Sequence, residues 1–306
     1  MTRWIAAALI ALIFTPGFVR AQDDTDDGGF QSLDALLDAL ETADSDIEKL
    51  SASLLYEREY ALAGDTQTRE GSVSFLNVMD EEGERSRAFA VVFDWTTIGD
   101  RREPDGRTFV FDGRWLTERI PEEKLVLRRE VAPPGAKFDP LKIGEGPLPL
   151  PLGQKKADIL ANYDAEKVAA SDGIEYRDDL VKFTKGCAQL VLVPNEARFE
   201  EDDFDEIRLW YKNRDGSPEP RMAMTLNKTG DEVIVRLWNV KRNEDATINE
   251  EAFDAEVPEG WDFDEERYRG DAPRPVNPHA PVLARLTVQP EMRSAGGQEP
   301  EIGLHP

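Results

Sequence analysis

The sequence predicts an α+β fold: one strongly curved antiparallel sheet with a few helices packed against it. Three observations carry that expectation. Apolar residues recur at helical spacing in one clear stretch, Leu33 to Leu50. After it the period changes to two, and alternating segments follow one another closely, as in an antiparallel meander. A Pro- and Gly-rich excursion over residues 132–153 then divides the strands into two blocks. A single sheet built from both blocks is long enough that it must curl, split or close.

Residues 1–21 read as a signal peptide. "MTR" is a cationic start, "WIAAALIALIF" is an apolar core, and Pro16-Gly17 break it ahead of "VRA". An uncleaved anchor is the alternative, although the apolar run is short for a span. Residues 22–31 are a flexible lead-in to a domain over 32–269. In "SLDALLDALETADSDIEKL" Leu33, Leu36, Leu37, Leu40, Ile47 and Leu50 share a helical face, with Ser32 as N-cap and Asp34 in the first turn. "SLLYEREYAL" then alternates Leu54, Tyr56, Tyr60 and Leu62, with Arg58 interrupting that face. "GSVSFLNV" and "RAFAVVFDW" continue the pattern, and the second aligns Phe89, Val91, Phe93 and Trp95. "RTFVFDGRWLTERI" holds an Asp112-Gly113 hairpin signal, and "KLVLRREV" pairs with the strand before it. Beyond the excursion "QKKADILAN" reads as a short helix. "CAQLVLVP", "DEIRLWYKNRDGSP", "RMAMTLNKTGD" and "EVIVRLWNVK" read as strands, the last three joined by Asp-Gly and Thr-Gly-Asp turns. "INEEAFDAEVPEGWDFDEE" gives a turn of helix and an end strand, and residues 270–306 form a Pro-rich disordered tail.

Composition removes several chemistries. Cys187 is the one cysteine, at the start of an apolar strand, so no intrachain disulfide forms and a small buried residue is expected there. The two histidines, His279 and His305, lie in the tail, which excludes a Ser-His-Asp arrangement or a His-ligated zinc site in the domain. The formal charge of −25 becomes −27 when Arg3 and Arg20 leave with the leader, and that field disfavours nucleic acid and anionic membrane surfaces. "EEDDFDE" lacks the spacing of an EF-hand loop, and no metal or cofactor is expected. "NKT" at Asn227 matches a glycosylation triplet with nothing else to support it.

The apolar strand faces are rich in aromatic residues: Phe75, Phe89, Phe93, Trp95, Phe109, Phe111, Trp115, Trp210 and Trp238, with Val91 among them. An ordinary sealed core and the wall of an apolar cavity use the same residues, so patterning leaves both readings open. In the second, Leu36 and Leu40 of the first helix and Ile159 and Leu160 of the later one belong to a lid. The stretch "GPLPLPLG" spaces Leu148, Leu150 and Leu152 on one side of an extended segment that has few ladder donors. It suits either an internal strap beside the lid or a polyproline ligand for an outside domain; the strap is favoured because it lies between the strand blocks, just before a helix.

The order of segments resembles the LolA-like family of periplasmic lipoprotein carriers, over about Ser32 to Glu266. The amphipathic helix leading into "KLSASLLYEREY" is similar to the family's helix-then-strand opening. "FVFDGRWLTERIPEEKLV" resembles its strand, Asp-Gly, basic, aromatic, strand and Pro hairpin. "GSVSF", "LVLVPN" and the block from "FDEIRLWYKNRDGSP" to "FDAEVPEGWDF" follow in the family's order. The resemblance implies a half-closed β-barrel whose helices form a lid over an apolar cavity. It implies binding without catalysis: a monomer that holds the acyl chains of a lipoprotein or lipid, with membrane-bound donor and acceptor proteins as partners. It also implies that residues 146–153 cross the open mouth, and it brings Arg58 near a family Arg that bonds the lid. The sequence departs from the family in its strong acidity, its long 132–153 crossover and its tail. Two further readings stand beside the carrier. One is an envelope lipid- or lipoprotein-sensing module on the same fold. The other is a hydrolase, for which only paired carboxylates such as Asp112 with Glu118 are available.

Overall fold

The computed structural model describes residues 28–79, 85–131, 154–195 and 204–268. The signal peptide, most of the lead-in, the stretch with Leu148, Leu150 and Leu152, and the Pro-rich tail lie outside the described residues.

Helix α1 spans Leu33–Thr42. Its N-cap is Ser32, whose hydroxyl accepts from the Ala35 N–H at 3.1 Å, satisfying one of the four donors a helix start leaves free. The helix ends well short of Leu50. Asp44, Ser45 and Asp46 follow, and short polar side chains of this kind compete for the backbone. The chain turns there, with the Ser45 and Ile47 N–H groups donating to the carbonyls of Thr42 and Asp44.

One sheet accounts for the strands. The first block is β1 (Lys49–Tyr60), β2 (Asp65–Met79), β3 (Arg85–Ile98), β4 (Arg101–Pro104), β5 (Thr108–Phe111), β6 (Trp115–Ile120) and β7 (Leu125–Glu130). The second is β8 (Tyr163–Val168), β9 (Cys187–Pro194), β10 (Phe204–Arg214), β11 (Ser217–Asn227), β12 (Glu232–Arg242) and β13 (Asp262–Glu266). Helices α2 (Lys156–Asn162) and α3 (Asp178–Phe183) flank β8. The path across the sheet is β13-β7-β6-β5-β3-β2-β1-β12-β11-β10-β9-β8, with β4 as a spur on β3. The expected meander is present in the first block, and β1 joins the blocks by pairing antiparallel with β12. β13 adds in parallel to β7. It and β8 are the two ends of the path, so the curved sheet does not close. The elements that patterning missed are β4, β8 and α3, all short and polar.

Local chemistry sets the turns and the bends. Asp215 and Gly216 both adopt positive φ, 54° and 89°, the pair a two-residue hairpin of right-handed twist requires. Between β2 and β3 the register slips, so that Gly71 faces Phe93, Glu70 faces Trp95, and Asp94 is the extra residue of a bulge. The strands approach so closely there that a Cβ on Gly71 would lie 1.9 Å from the Val92 carbonyl oxygen.

Register defines two faces. Leu209, Ala223, Val235, Tyr56 and Arg69 oppose one another in turn across β10, β11, β12, β1 and β2, so they share one face. This inner face carries α1. Over β8–β11 it is sealed by Leu36, Leu37, Leu40 and Ile159 against Leu190, Leu192, Ile207 and Leu209. On the outer face of β10–β12, Trp210, Met222, Met224 and Ile234 are sealed by Ala170, Ile174 and Leu180 of the excursion that contains α3. Cys187 is buried in this outer cluster, as expected of a small apolar residue.

Candidate functional site: an aromatic inner face with a polar end

On the first block the inner face is aromatic. Phe75 of β2 opposes Phe89 of β3, which opposes Phe111 of β5; Val73, Val91 and Phe109 form the next row, and Gly71 and Phe93 the one after. The Phe89 and Phe111 rings stack with centroids 5.5 Å apart. Phe93 meets Tyr56 and Phe109 edge-on at 6.3 and 6.2 Å. Such pairs add about 0.5–1.5 kcal/mol each beyond the area they bury. Leu50, Ala52, Leu54, Leu116 and Leu237 extend the surface, and Ala43 and Ile47, just beyond α1, pack onto it.

Six of the ten residues that the sequence assigned to an apolar wall therefore meet in one cluster: Phe75, Phe89, Val91, Phe93, Phe109 and Phe111. The four tryptophans lie elsewhere, each for an identifiable reason. The bulge at Asp94 turns Trp95 to the face of Glu70, where it is 40 % exposed and the Arg102 guanidinium lies 4.7 Å from its ring. Trp115 is one step out of phase with Leu116 and is flanked by Arg114 and Arg128. Trp210 alternates with Leu209, so it falls in the sealed outer cluster, where its indole N–H donates to the Ala170 carbonyl at 2.8 Å. Trp238 is likewise one step from inward-facing Leu237.

The helical residues are split as well. Leu36, Leu40 and Ile159 are buried together over β8–β11, while Leu160 is 46 % exposed. Lys156 ties α2 to α1 through ion pairs with Asp34 and Asp38 at 2.8 and 2.9 Å. Arg58 donates to Asp231, beside the β11–β12 turn, at 2.8 Å and lies over the Tyr60 ring. In that turn the Asn227 side-chain oxygen accepts from the Thr229 and Asp231 N–H groups, a structural use of the "NKT" triplet. Asp112 caps the β5–β6 turn by accepting from the Arg114 and Trp115 N–H groups, whereas Glu118 accepts from Arg107.

Next to Phe93 and Tyr56 the inner face becomes charged. Arg69 opposes Tyr56, and Glu118 opposes Phe109. Asp105 and Arg107 arrive through a turn fastened to the bulge: Asp105 N–H donates to Asp94 O, Gly106 N–H to Phe93 O, and Phe93 N–H to Arg107 O. The four side chains are 4 %, 1 %, 7 % and 9 % exposed for Arg69, Glu118, Asp105 and Arg107. Arg107 binds Glu118 at 3.3 Å, and Arg69 stands 3.4 Å from Asp105 and 5.7 Å from the Phe93 ring centre. Burial pushes the Glu118 carboxyl up to about 8, outweighing the opposing pull of Arg107 and then Arg69. Burial, and then Arg107, lowers the Arg69 guanidinium. Several atoms here have no hydrogen-bond partner: the Tyr56 hydroxyl, Nε and Nη1 of Arg69, Nε of Arg107, and one oxygen each of Asp105 and Glu118. Sequence reading passed over this cluster, yet a signal existed. Glu118 alternates with Leu116 and Ile120, and Arg69 alternates with Gly71 and Val73, so both are charges at apolar register positions.

Among the described residues no group of three or more His, Cys, Asp or Glu is arranged to hold a metal ion, and no helix is long and apolar enough to cross a membrane.

No family profile and no curated protein matches the sequence. Solved structures similar to the chain include an uncharacterised conserved protein from Thermus thermophilus, with 12% identity and a TM-score of 0.39 over 76% of this chain and 98% of that one. MucB of Pseudomonas aeruginosa, crystallised with MucA, has 15% identity and a TM-score of 0.37 over 73% of this chain and 61% of that one. A LolA superfamily protein from Nitrosomonas europaea has 11% identity and a TM-score of 0.29 over 73% and 97%. All three are distant, and the last is the one that bears the LolA superfamily name. At these TM-scores the likeness carries no statement about function.

Proposed function

We propose that the chain is a carrier that holds the acyl chains of lipoproteins or lipids against the inner aromatic face of β2, β3 and β5 and moves them through the periplasm towards the outer membrane. The observation that supports this reading is the convergence of Phe75, Phe89, Phe93, Phe109 and Phe111 on one face of a curved sheet with two free ends. An acyl chain laid on such a surface gains about 0.8 kcal/mol per buried methylene, so one or two chains give tight binding with no covalent step. The rings are buried at rest, so loading requires the cover to lift, and the α1–Ile47 segment is the described part that rests on them. The ligand then replaces the cover, and the two arrangements differ by the affinity of the ligand for the open one. No catalysis enters this reading: Asp112 and Glu118 are each engaged in local structure. The protein acts as a monomer that meets membrane-bound donor and acceptor proteins.

Mass spectrometry of the purified protein tests this directly. Co-purifying lipid, and uptake of an apolar fluorophore that Phe111→Glu removes, are expected. A lipid-free protein that takes up no fluorophore would sink the carrier. Binding that never leads to transfer of an acylated lipoprotein into acceptor vesicles would favour a sensing module on the same face.

A further inference from the structure

Among the described residues, buried polar atoms without a hydrogen-bond partner gather most densely at the charged end of the inner face. Elsewhere single nitrogens lack a partner, such as Nε of Arg221, Arg236 and Arg242, while a terminal nitrogen of each head group is engaged. On the outer side of β1 and β12, for example, Glu57 accepts from Arg177 and Arg236 at 2.8 and 3.2 Å, and both arginines also hold Asp179. At the charged end, by contrast, the one ion pair of Arg69 among the described residues runs from its Nε to Asp105 at 3.4 Å without making a hydrogen bond, and one terminal nitrogen also lacks an acceptor. The Tyr56 hydroxyl, on the neighbouring strand and directly opposite, also lacks a partner. A buried polar group left unmade costs about 1–3 kcal/mol, more when charged, and both side chains lie beside the aromatic cluster: the Arg69 guanidinium is 5.7 Å from the Phe93 ring centre and the Tyr56 ring meets Phe93 edge-on.

We infer that Arg69, Arg107 and Tyr56 form a receptor for an anionic oxygen group, a carboxylate or a phosphate, at the end of an acyl chain that lies along Phe93, Phe109 and Phe111. This rests on the acyl-binding reading above and narrows it to lipids with an anionic head. The donor set fits: a guanidinium offers two parallel N–H groups to a carboxylate or phosphate oxygen pair, and a phenol hydroxyl supplies a third donor. The charge balance fits too. Glu118 is held largely neutral near pH 7, which leaves two guanidinium groups and Asp105 around the pole. The bulge at Asp94 and the turn Asp105-Gly106-Arg107 make the site, because together they bring Arg107 beside Arg69 at the edge of the aromatic rows.

The test compares a fluorescent long-chain fatty acid with its methyl ester, using the purified full chain. The acid is expected to bind about tenfold more tightly than the ester, the size of one charge-assisted hydrogen bond. Arg69→Gln should abolish that preference while leaving the ester bound. Tyr56→Phe is the second variant, since it removes only an unpartnered buried hydroxyl, so it should fold normally and still weaken the acid several-fold. Lysophosphatidic acid and inorganic phosphate serve as competitors. Displacement by the lysolipid at far lower concentration than by inorganic phosphate supports a lipid head; equal displacement makes the pole a free-anion site and overturns the inference. Equal binding of acid and ester overturns it while leaving acyl binding intact. Binding of neither removes the carrier reading as well.

Discussion

The two ends of the sheet are built from similar strands and finished differently. Over β9–β11 both faces are closed: α1 and α2 seal Leu190, Leu192 and Leu209 inside, and the α3 excursion seals Trp210 and Met222 outside. The polar atom of Trp210 is satisfied, and the arginines nearby, Arg208 and Arg236, are paired with carboxylates. Over β2, β3 and β5 the inner face is a run of phenylalanines covered by the thin segment after α1, and it ends in a buried cluster with unused donors. One end therefore has the chemistry of a scaffold. The other holds apolar surface and polar capacity that its own residues do not use up, which is where a ligand can contribute.

Substitutions should separate the two ends. The largest effect is expected at the scaffold: Trp210→Ala empties a sealed site and removes the shorter of the two hydrogen bonds to the Ala170 carbonyl, costing about 3–5 kcal/mol. Urea titration should show the loss directly, and a cost as small as that of a surface change would mean the outer cluster is not a core. Phe111→Leu, at the other end, is a smaller change of volume and should cost less than about 1.5 kcal/mol while reducing lipid uptake clearly.

A smaller effect comes from Glu118. Its folded carboxyl, about 8, lies above the 4.5 of an exposed glutamate, so the stability linked to its protonation is full below pH 4.5 and is lost as pH rises through 8. Glu118→Gln removes that loss. Near pH 9 the variant should melt above the wild type by about 2–4 °C for each kcal/mol involved, and the gap should shrink towards pH 5. A gap that does not change with pH would contradict the buried neutral carboxyl. Ser32→Ala, which deletes the N-cap of α1, should cost about 1 kcal/mol. Trp95→Ala, on the outer surface, should stay within about 0.5 kcal/mol of wild type and leave uptake unchanged, which distinguishes it sharply from the inner phenylalanines.

How much of this was legible in the sequence follows from what each signal depends on. Period-two patterning located β1–β3, β5–β7 and β9–β12, and "DG" marked the turns at Asp112 and Asp215, because those signals are local. The parity of a strand is not local once a bulge intervenes. Trp95 stands in line with Phe89, Val91 and Phe93 in the sequence, and the extra residue Asp94 moves it to the other side of the sheet. Leu50 and Ile47 continue a helical pattern past the point where Asp44, Ser45 and Asp46 stop the helix, so pattern and propensity disagreed and propensity prevailed. The pole was missed for a different reason. Asp105 and Arg107 reach it only through a turn fastened to the bulge, and no spacing rule joins residues 69, 105, 107 and 118.

Carriage requires the aromatic inner face to take an acyl chain. The most direct measurement is a titration of the purified protein with an apolar fluorophore, wild type against Phe111→Glu, with Trp95→Glu as the outer-face control. Saturable uptake in the wild type and the Trp95 variant, abolished only by Phe111→Glu, is the result expected. Equal uptake in all three, or none in any of them, would contradict the account.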